Sequence, residues 1–285
     1  MALQFVSKVI NMMPSFFISH GGPPTLFDTV SGAYKQWQAI GQDIQALQPQ
    51  GIVVVSAHWE GQEHSSAVEI NEALETPLIY DFYGFPAHYY VQQFPHRSAP
   101  WLVSAVKDRL TSAGIDYVGI QGKGRGLDHG AWVPFKVMFP NHTKESFPIL
   151  QISLPGDGSL VSSYKLGKAL DGLREQGVII IASGQPVHNL RDYFTGKNDT
   201  YGPPFIRSVG NLVRAFRPSN ALEKIEEIQR DPNYKKAVPE PDHFMPLFVA
   251  LGSVREHSER EEEGAAKVVW EMSQGSLGWG FYRVD

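Results

Sequence analysis

Two short runs constrain this chain more than any other feature: residues 51–57 (GIVVVSA) and 177–183 (GVIIIAS). Each is a series of β-branched and small residues with no apolar–polar alternation, and each is too short for a buried helix. β-branched side chains favour extended backbone. A strand with no polar face must be covered on both sides, as in a parallel sheet sandwiched by helices. Ser15–Ser19 (SFFIS) and residues 148–154 (PILQISL) read as buried strands of the same kind.

Helical spacing separates these runs. Tyr34, Trp37, Ile40, Ile44 and Leu47 recur at three- and four-residue intervals, predicting a helix over 34–47. Further helices are expected over 101–113, 132–138, 160–175, 203–216, 220–230 and 242–251, the last with Asp242 as N-cap. Residues 116–120 read as another strand, and 265–272 with 276–284 as an antiparallel hairpin. The proline-bearing, aromatic stretch 80–100 reads as a structured loop, a kind of segment that often carries function. Strands alternating with helices imply one α/β domain over 1–285, with a mostly parallel central sheet flanked by helices. Ligands are then expected beyond the carboxyl ends of the strands.

Composition narrows the chemistry. The chain has no cysteine, which removes disulfides, thiolate ligands and cysteine nucleophiles, so a metal must be held by His, Asp or Glu. A net charge of -5 gives no reason to expect nucleic acid or an anionic membrane as partner. The opening residues MALQFVSKVINMMP lack the basic and apolar regions of a signal peptide, and no run approaches the length of a membrane span. The expected location is the cytoplasm.

Of ten histidines, three follow strong strands directly or within a few residues: His20, His58 and His188. A single histidine after a strand is usually a turn residue or a satisfied polar group. Three in matched positions at one sheet edge can converge, and neutral imidazole is the commonest metal ligand. Position alone therefore points to a metal site with no named reaction. His64, His88, His96, His142 and His257 follow no pattern and read as surface residues, and 257–263 (HSEREEE) reads as a solvated charge run. The glycine-rich segment GKGRG at 122–126 matches neither phosphate-binding fingerprint, and neither H-E-x-x-H nor G-x-S-x-G occurs.

Six motifs in order complete the reading: Ser19-His20-Gly21-Gly22-Pro23-Pro24, Val55-Ser56-Ala57-His58-Trp59, Tyr80-Asp81-Phe82-Tyr83-Gly84-Phe85-Pro86, Gly126-Leu127-Asp128-His129-Gly130-Ala131-Trp132, Ala182-Ser183-Gly184 through His188-Asn189-Leu190, and Pro241-Asp242-His243-Phe244-Met245-Pro246-Leu247. The series resembles the class III extradiol ring-cleavage dioxygenases, in the branch called 4,5-DOPA dioxygenase extradiol. It spans a core of 13–252, leaving 253–285 for the C-terminal strands.

The resemblance implies ring opening of a DOPA-like catechol with O2 at one Fe(II) or Zn(II) per chain. Metal ligands correspond to His20, His58 and His243. His188 corresponds to an acid/base histidine beside the metal, also counted as a ligand in some descriptions. His129 corresponds to a second pocket histidine that contacts substrate or oxygen. The protocatechuate-type members use two histidines and a carboxylate, whereas His243 stands at the third position here. An all-histidine set also suits zinc, so a zinc hydrolase or a non-catalytic zinc protein on the same scaffold is the alternative. The ordinary pKa of His188, near 6.5, suits proton transfer in both directions.

Overall fold

A computed structural model describes residues 12–121, 124–196, 200–255 and 265–285. The first eleven residues of the N-terminal segment, Gly122 and Lys123 of the glycine-rich loop, and the 257–263 charge run with His257 lie outside them.

The strands are β1 (Ser15–Ser19), β2 (Gly51–Glu60), β3 (Val68–Asn71), β4 (Tyr117–Ile120), β5 (Ile149–Leu154), β6 (Val178–Gly184), β7 (Val187–His188), β8 (Ala266–Gln274) and β9 (Leu277–Val284). They form one sheet in the order β4-β3-β5-β2-β6-β1-β9-β7, with β8 paired to β9. The four central strands, β5, β2, β6 and β1, are parallel. The flanks are mixed: β3 pairs β4 in parallel but β5 antiparallel, and β9 runs antiparallel to β1, β7 and β8. The sheet is thus parallel where the fully apolar runs lie and mixed outside them. The short, half-polar β3 (VEIN) and the two-residue β7 carry too little periodicity to be read from sequence.

The helices are α1 (Gly32–Leu47), α2 (Pro100–Ser112), α3 (His129–Met138), α4 (Leu160–Leu170), α5 (Leu190–Thr195), α6 (Gly202–Ala215), α7 (Ala221–Gln229), α8 (Tyr234–Ala237) and α9 (Met245–Gly252). The alternation along each central strand divides the core in two. Val53, Val55, Ile180 and Ala182 join one apolar cluster with α2, α4, α6, α7 and α9. Ile52, Val54, Ile179 and Ile181 face the other way, against Trp37, Ile40 and Ile44 of α1 and Trp132 and Phe135 of α3. Burial on both faces explains why these runs show no apolar–polar alternation, their only polar side chains being the buried Ser56 and Ser183 near the carboxyl ends.

Helix α4 ends at Leu170 rather than running to 175, and residues Asp171–Gln176 tighten into a 3-10 turn. Gly172, a poor helix former, packs there under the Arg109 guanidinium. Asp242 does not cap α9, whose N-cap is Phe244. Two of the presumed surface histidines are buried: His96 and His142 turn ring nitrogens to the Phe94, Pro95 and Phe147 carbonyls. No helix among the described residues is long and apolar enough to cross a membrane.

Candidate metal centre

Five histidines from five separate segments meet at one place. His20 follows the last residue of β1, and His58 is the eighth residue of β2, inside the strand rather than after it. His188 closes β7 and His129 opens α3. His243 lies in the turn two residues ahead of α9. Ring centroids are 4.9 Å apart for His20 and His58, 5.2 Å for His20 and His243, and 4.9 Å for His58 and His243. His129 lies 4.0 Å from His58, and His188 stacks on His243 at 3.6 Å.

Two glycines make this convergence sterically feasible. A Cβ on Gly184, at the end of β6, would overlap the His243 carbonyl, which also accepts the Gln185 N–H at 2.7 Å. A Cβ on Gly130 would overlap Ser56 Oγ and come within 3.0 Å of the His58 ring. Both positions lie in the quoted motifs, but their reason is visible only in three dimensions.

Hydrogen bonds behind the rings decide which nitrogen is free. Ser183 donates its hydroxyl proton to the Gly130 carbonyl, so its oxygen accepts from His20 Nδ1 at 2.9 Å. His243 Nδ1 donates to Asp242 Oδ2 at 2.8 Å. His58 Nδ1 faces Asp81 Oδ2 at 3.5 Å. With protons held on Nδ1 of His20 and His243, their Nε2 atoms carry the lone pair, which is the arrangement that metal-binding imidazoles adopt.

The donor set fits an ion. The nitrogens of His20, His58 and His243 lie within 4.8 Å of one another. His20 Nε2 and His58 Nε2 are 3.1 Å apart, and two ligands at about 2.1 Å from one ion stand about 3.0–3.4 Å apart. Two lone pairs facing each other at that distance repel unless a cation or a proton lies between them. In a second group, the ligand atoms of His58, Asp81 and His129 also lie within 4.8 Å of one another.

Burial keeps the His20, His58, His188 and His243 rings neutral. Desolvation, reinforced by the neighbouring histidines, holds His20 and His243 well below the usual histidine value. The same two causes carry His58 down to about 3, against the pull of Asp81 and Asp242. His188 falls to about 4, again through burial first, with Asp242 opposing. The ordinary value of 6.5 therefore does not describe His188, which is a neutral base at neutral pH. Burial raises the Asp81 carboxyl, but hydrogen bonds and charge from His129, with His58, outweigh it and bring it to about 2.

The peptide of His58 is anchored separately. Its N–H donates to Ser56 Oγ at 3.2 Å, and its carbonyl accepts from Arg125 at 2.6 Å. Ser56 in turn donates to the fully buried Asp128 at 2.7 Å, which also accepts from Gln151. The side chains of Asp81, Asp128, Ser56 and Ser183 carry no periodic or spacing signal that marks these contacts. Membership in the quoted motifs was the only clue in the sequence. Around the site, the Phe82 ring meets His129 edge-on at 5.8 Å, so the aromatic loop both lines the histidines and packs into the core.

The sheet and its flanking helices bring five histidines together, and His20, His58 and His243 form a group consistent with a mononuclear metal site. Residues 12–275 match the family model described as the catalytic LigB subunit of aromatic ring-opening dioxygenase, and the chain belongs to this family of extradiol dioxygenases. It is 35% identical over 253 residues to a 4,5-DOPA dioxygenase extradiol of Beta vulgaris, covering 88% of this chain and 90% of that one. It is 30% identical over 247 residues to a protein of the same description from Escherichia coli K12, covering 85% of each. The crystal structure of an uncharacterized protein from Escherichia coli K12 superposes with a TM-score of 0.75 at 25% identity, covering 96% of this chain and all of that one.

Proposed function

We propose that this chain opens the ring of a DOPA-like catechol beside its hydroxyls with O2, at one divalent ion held by His20, His58 and His243 near the carboxyl ends of the parallel strands. The observation that carries the reading is the convergence of three imidazoles, His20, His58 and His243, with two further histidines, His188 and His129, beside them. The relatives' descriptions name DOPA, which makes a catechol bearing an amino-acid side chain the first substrate to try.

An Fe(II) ion in this place supplies Lewis acidity toward the catechol oxygens and a redox path to O2. His188 takes a hydroxyl proton from the catechol and returns it later, acting as base first because it is neutral at rest. Its near-parallel stack on His243, 13° between planes, supports that role over ligation. A ring nitrogen's lone pair lies in its own plane, so the stacked rings direct their lone pairs in separate planes; His243 would hold the ion and His188 would move the proton. His129 accepts a hydrogen bond from a substrate hydroxyl through Nε2. Both atoms of O2 end in the product, one in a carboxylate and one in an aldehyde.

The all-histidine donor set supports a second reading, a zinc hydrolase or non-catalytic zinc protein. Metal analysis, anaerobic loading with Fe(II) and admission of O2 separate the two. The dioxygenase reading expects oxygen uptake and a yellow semialdehyde from DOPA or a related catechol. Retained zinc, with no oxygen uptake from any of a panel of catechols after iron loading, decides for the zinc reading.

A further inference from the structure

We propose that Asp81 is a positioning residue that fixes the tautomer of His129 and steers His58, joining the aromatic loop to the metal site as one unit. Its Oδ1 accepts from His129 Nδ1 at 2.8 Å and from the His129 backbone N–H at 3.0 Å. Its Oδ2 faces His58 Nδ1 at 3.5 Å. One carboxylate therefore addresses two rings of the site from a loop distant in sequence.

The backbone contact shows that this is a built arrangement. The first N–H groups of a helix lack intrahelical partners and usually find a capping side chain. Asp128 occupies the N-cap position of α3, yet its side chain makes no capping bond because Ser56 and Gln151 engage it. Asp81 satisfies the His129 N–H instead. The loop is held in register for this: Ile79 N–H donates to the Leu127 carbonyl at 2.7 Å, and Trp132 Nε1 donates to the Ile79 carbonyl at 2.9 Å.

Two consequences follow. A proton held on His129 Nδ1 leaves Nε2 as an acceptor, whatever substrate enters. Asp81, 3.5 Å from His58 Nδ1, and Asp242, hydrogen-bonded to His243 Nδ1, also place negative charge behind an all-histidine site. They offset the charge of a divalent ion that three neutral ligands leave uncompensated. His58, Asp81 and His129 also lie close enough to form a second metal group, but Asp81 Oδ1 is already committed to two N–H donors, which favours positioning.

This inference rests on the metal-site reading above, and its test uses no catechol, so its outcome stands apart from whether a ring is opened. Long-range proton–nitrogen NMR of the metal-free full chain reads the His129 tautomer directly. The expected result is the neutral Nδ1-protonated form in the native protein and a mixture in Asp81→Asn. Zn(II) titration is expected to show one ion per chain, bound about tenfold more weakly in Asp81→Asn. Asp81→Glu keeps the charge, recovers part of both signals, and serves if the Asn variant does not fold. An Nε2-protonated His129 in the native protein overturns the proposal with no variant needed. So does an unchanged tautomer and affinity in a folded Asp81→Asn, or a second native Zn(II) lost in that variant, which makes Asp81 a ligand.

Discussion

The His188 ring lies almost flat on His243, with centroids 3.6 Å apart and planes 13° from parallel. If His243 ligates and His188 transfers protons, removing them has different effects. His188→Ala is expected to retain most bound metal and lose about 10²- to 10⁴-fold in turnover. His243→Ala is expected to lose the metal itself. Metal content by elemental analysis beside kcat separates the two, and complete metal loss in His188→Ala makes it a primary ligand.

Gly130→Ala tests the closeness of α3 to β2. The added methyl meets the His58 ring and Ser56 Oγ, which is held by its buried hydrogen bond to Asp128 and by the His58 backbone N–H. Overpacking of this kind costs about 1–3 kcal/mol, and displacement of His58 is expected to weaken metal binding at least about tenfold. Urea unfolding and metal titration on the same variant measure both. Native stability with native affinity contradicts the packing described.

Stability of the metal-free chain is expected to fall as pH drops. His58 and His188 have folded values of about 3 and 4, below the ordinary 6.5, so the unfolded chain binds more protons between these limits. The sign is fixed by linkage: stability is fully present above about 6.5 and is lost as pH falls through the folded values. Asp81, at about 2 against an ordinary 3.8, adds a loss of the same sign at lower pH. Denaturant midpoints between pH 7.5 and about 4 measure the slope, and a flat profile contradicts the burial of neutral rings.

Trp37 ties the core to the site. It is fully buried in α1, and its Nε1 donates to the Ser19 carbonyl at 2.9 Å, the residue before His20. Trp37→Ala is expected to cost about 3–5 kcal/mol. Trp37→Phe keeps most of the packing and leaves the buried Ser19 carbonyl without this donor. It is expected to cost less stability while weakening metal binding, a split that calorimetric unfolding and metal titration resolve.

The central fold was legible because its signals are local. Runs such as GIVVVSA and GVIIIAS have one physical solution, burial on both faces, and the two core clusters show both faces covered. The flanks were not legible, since whether β3 joins β5 parallel or antiparallel depends on the path of the chain. At the site, strand position drew attention to His20, His58 and His188, and the ordered motifs added His243 and His129. Sequence by itself determined that a cysteine-free α/β chain would have to build any metal site from histidines and carboxylates. Only the tertiary structure decided that Ser183 and Asp242 set ring tautomers, that His188 stacks on His243, and that Asp81 caps a helix it does not belong to. Those contacts join residues far apart in the chain or depend on how adjacent side chains turn, so no period or spacing encodes them. They exist only where packing brings the donors and acceptors into register.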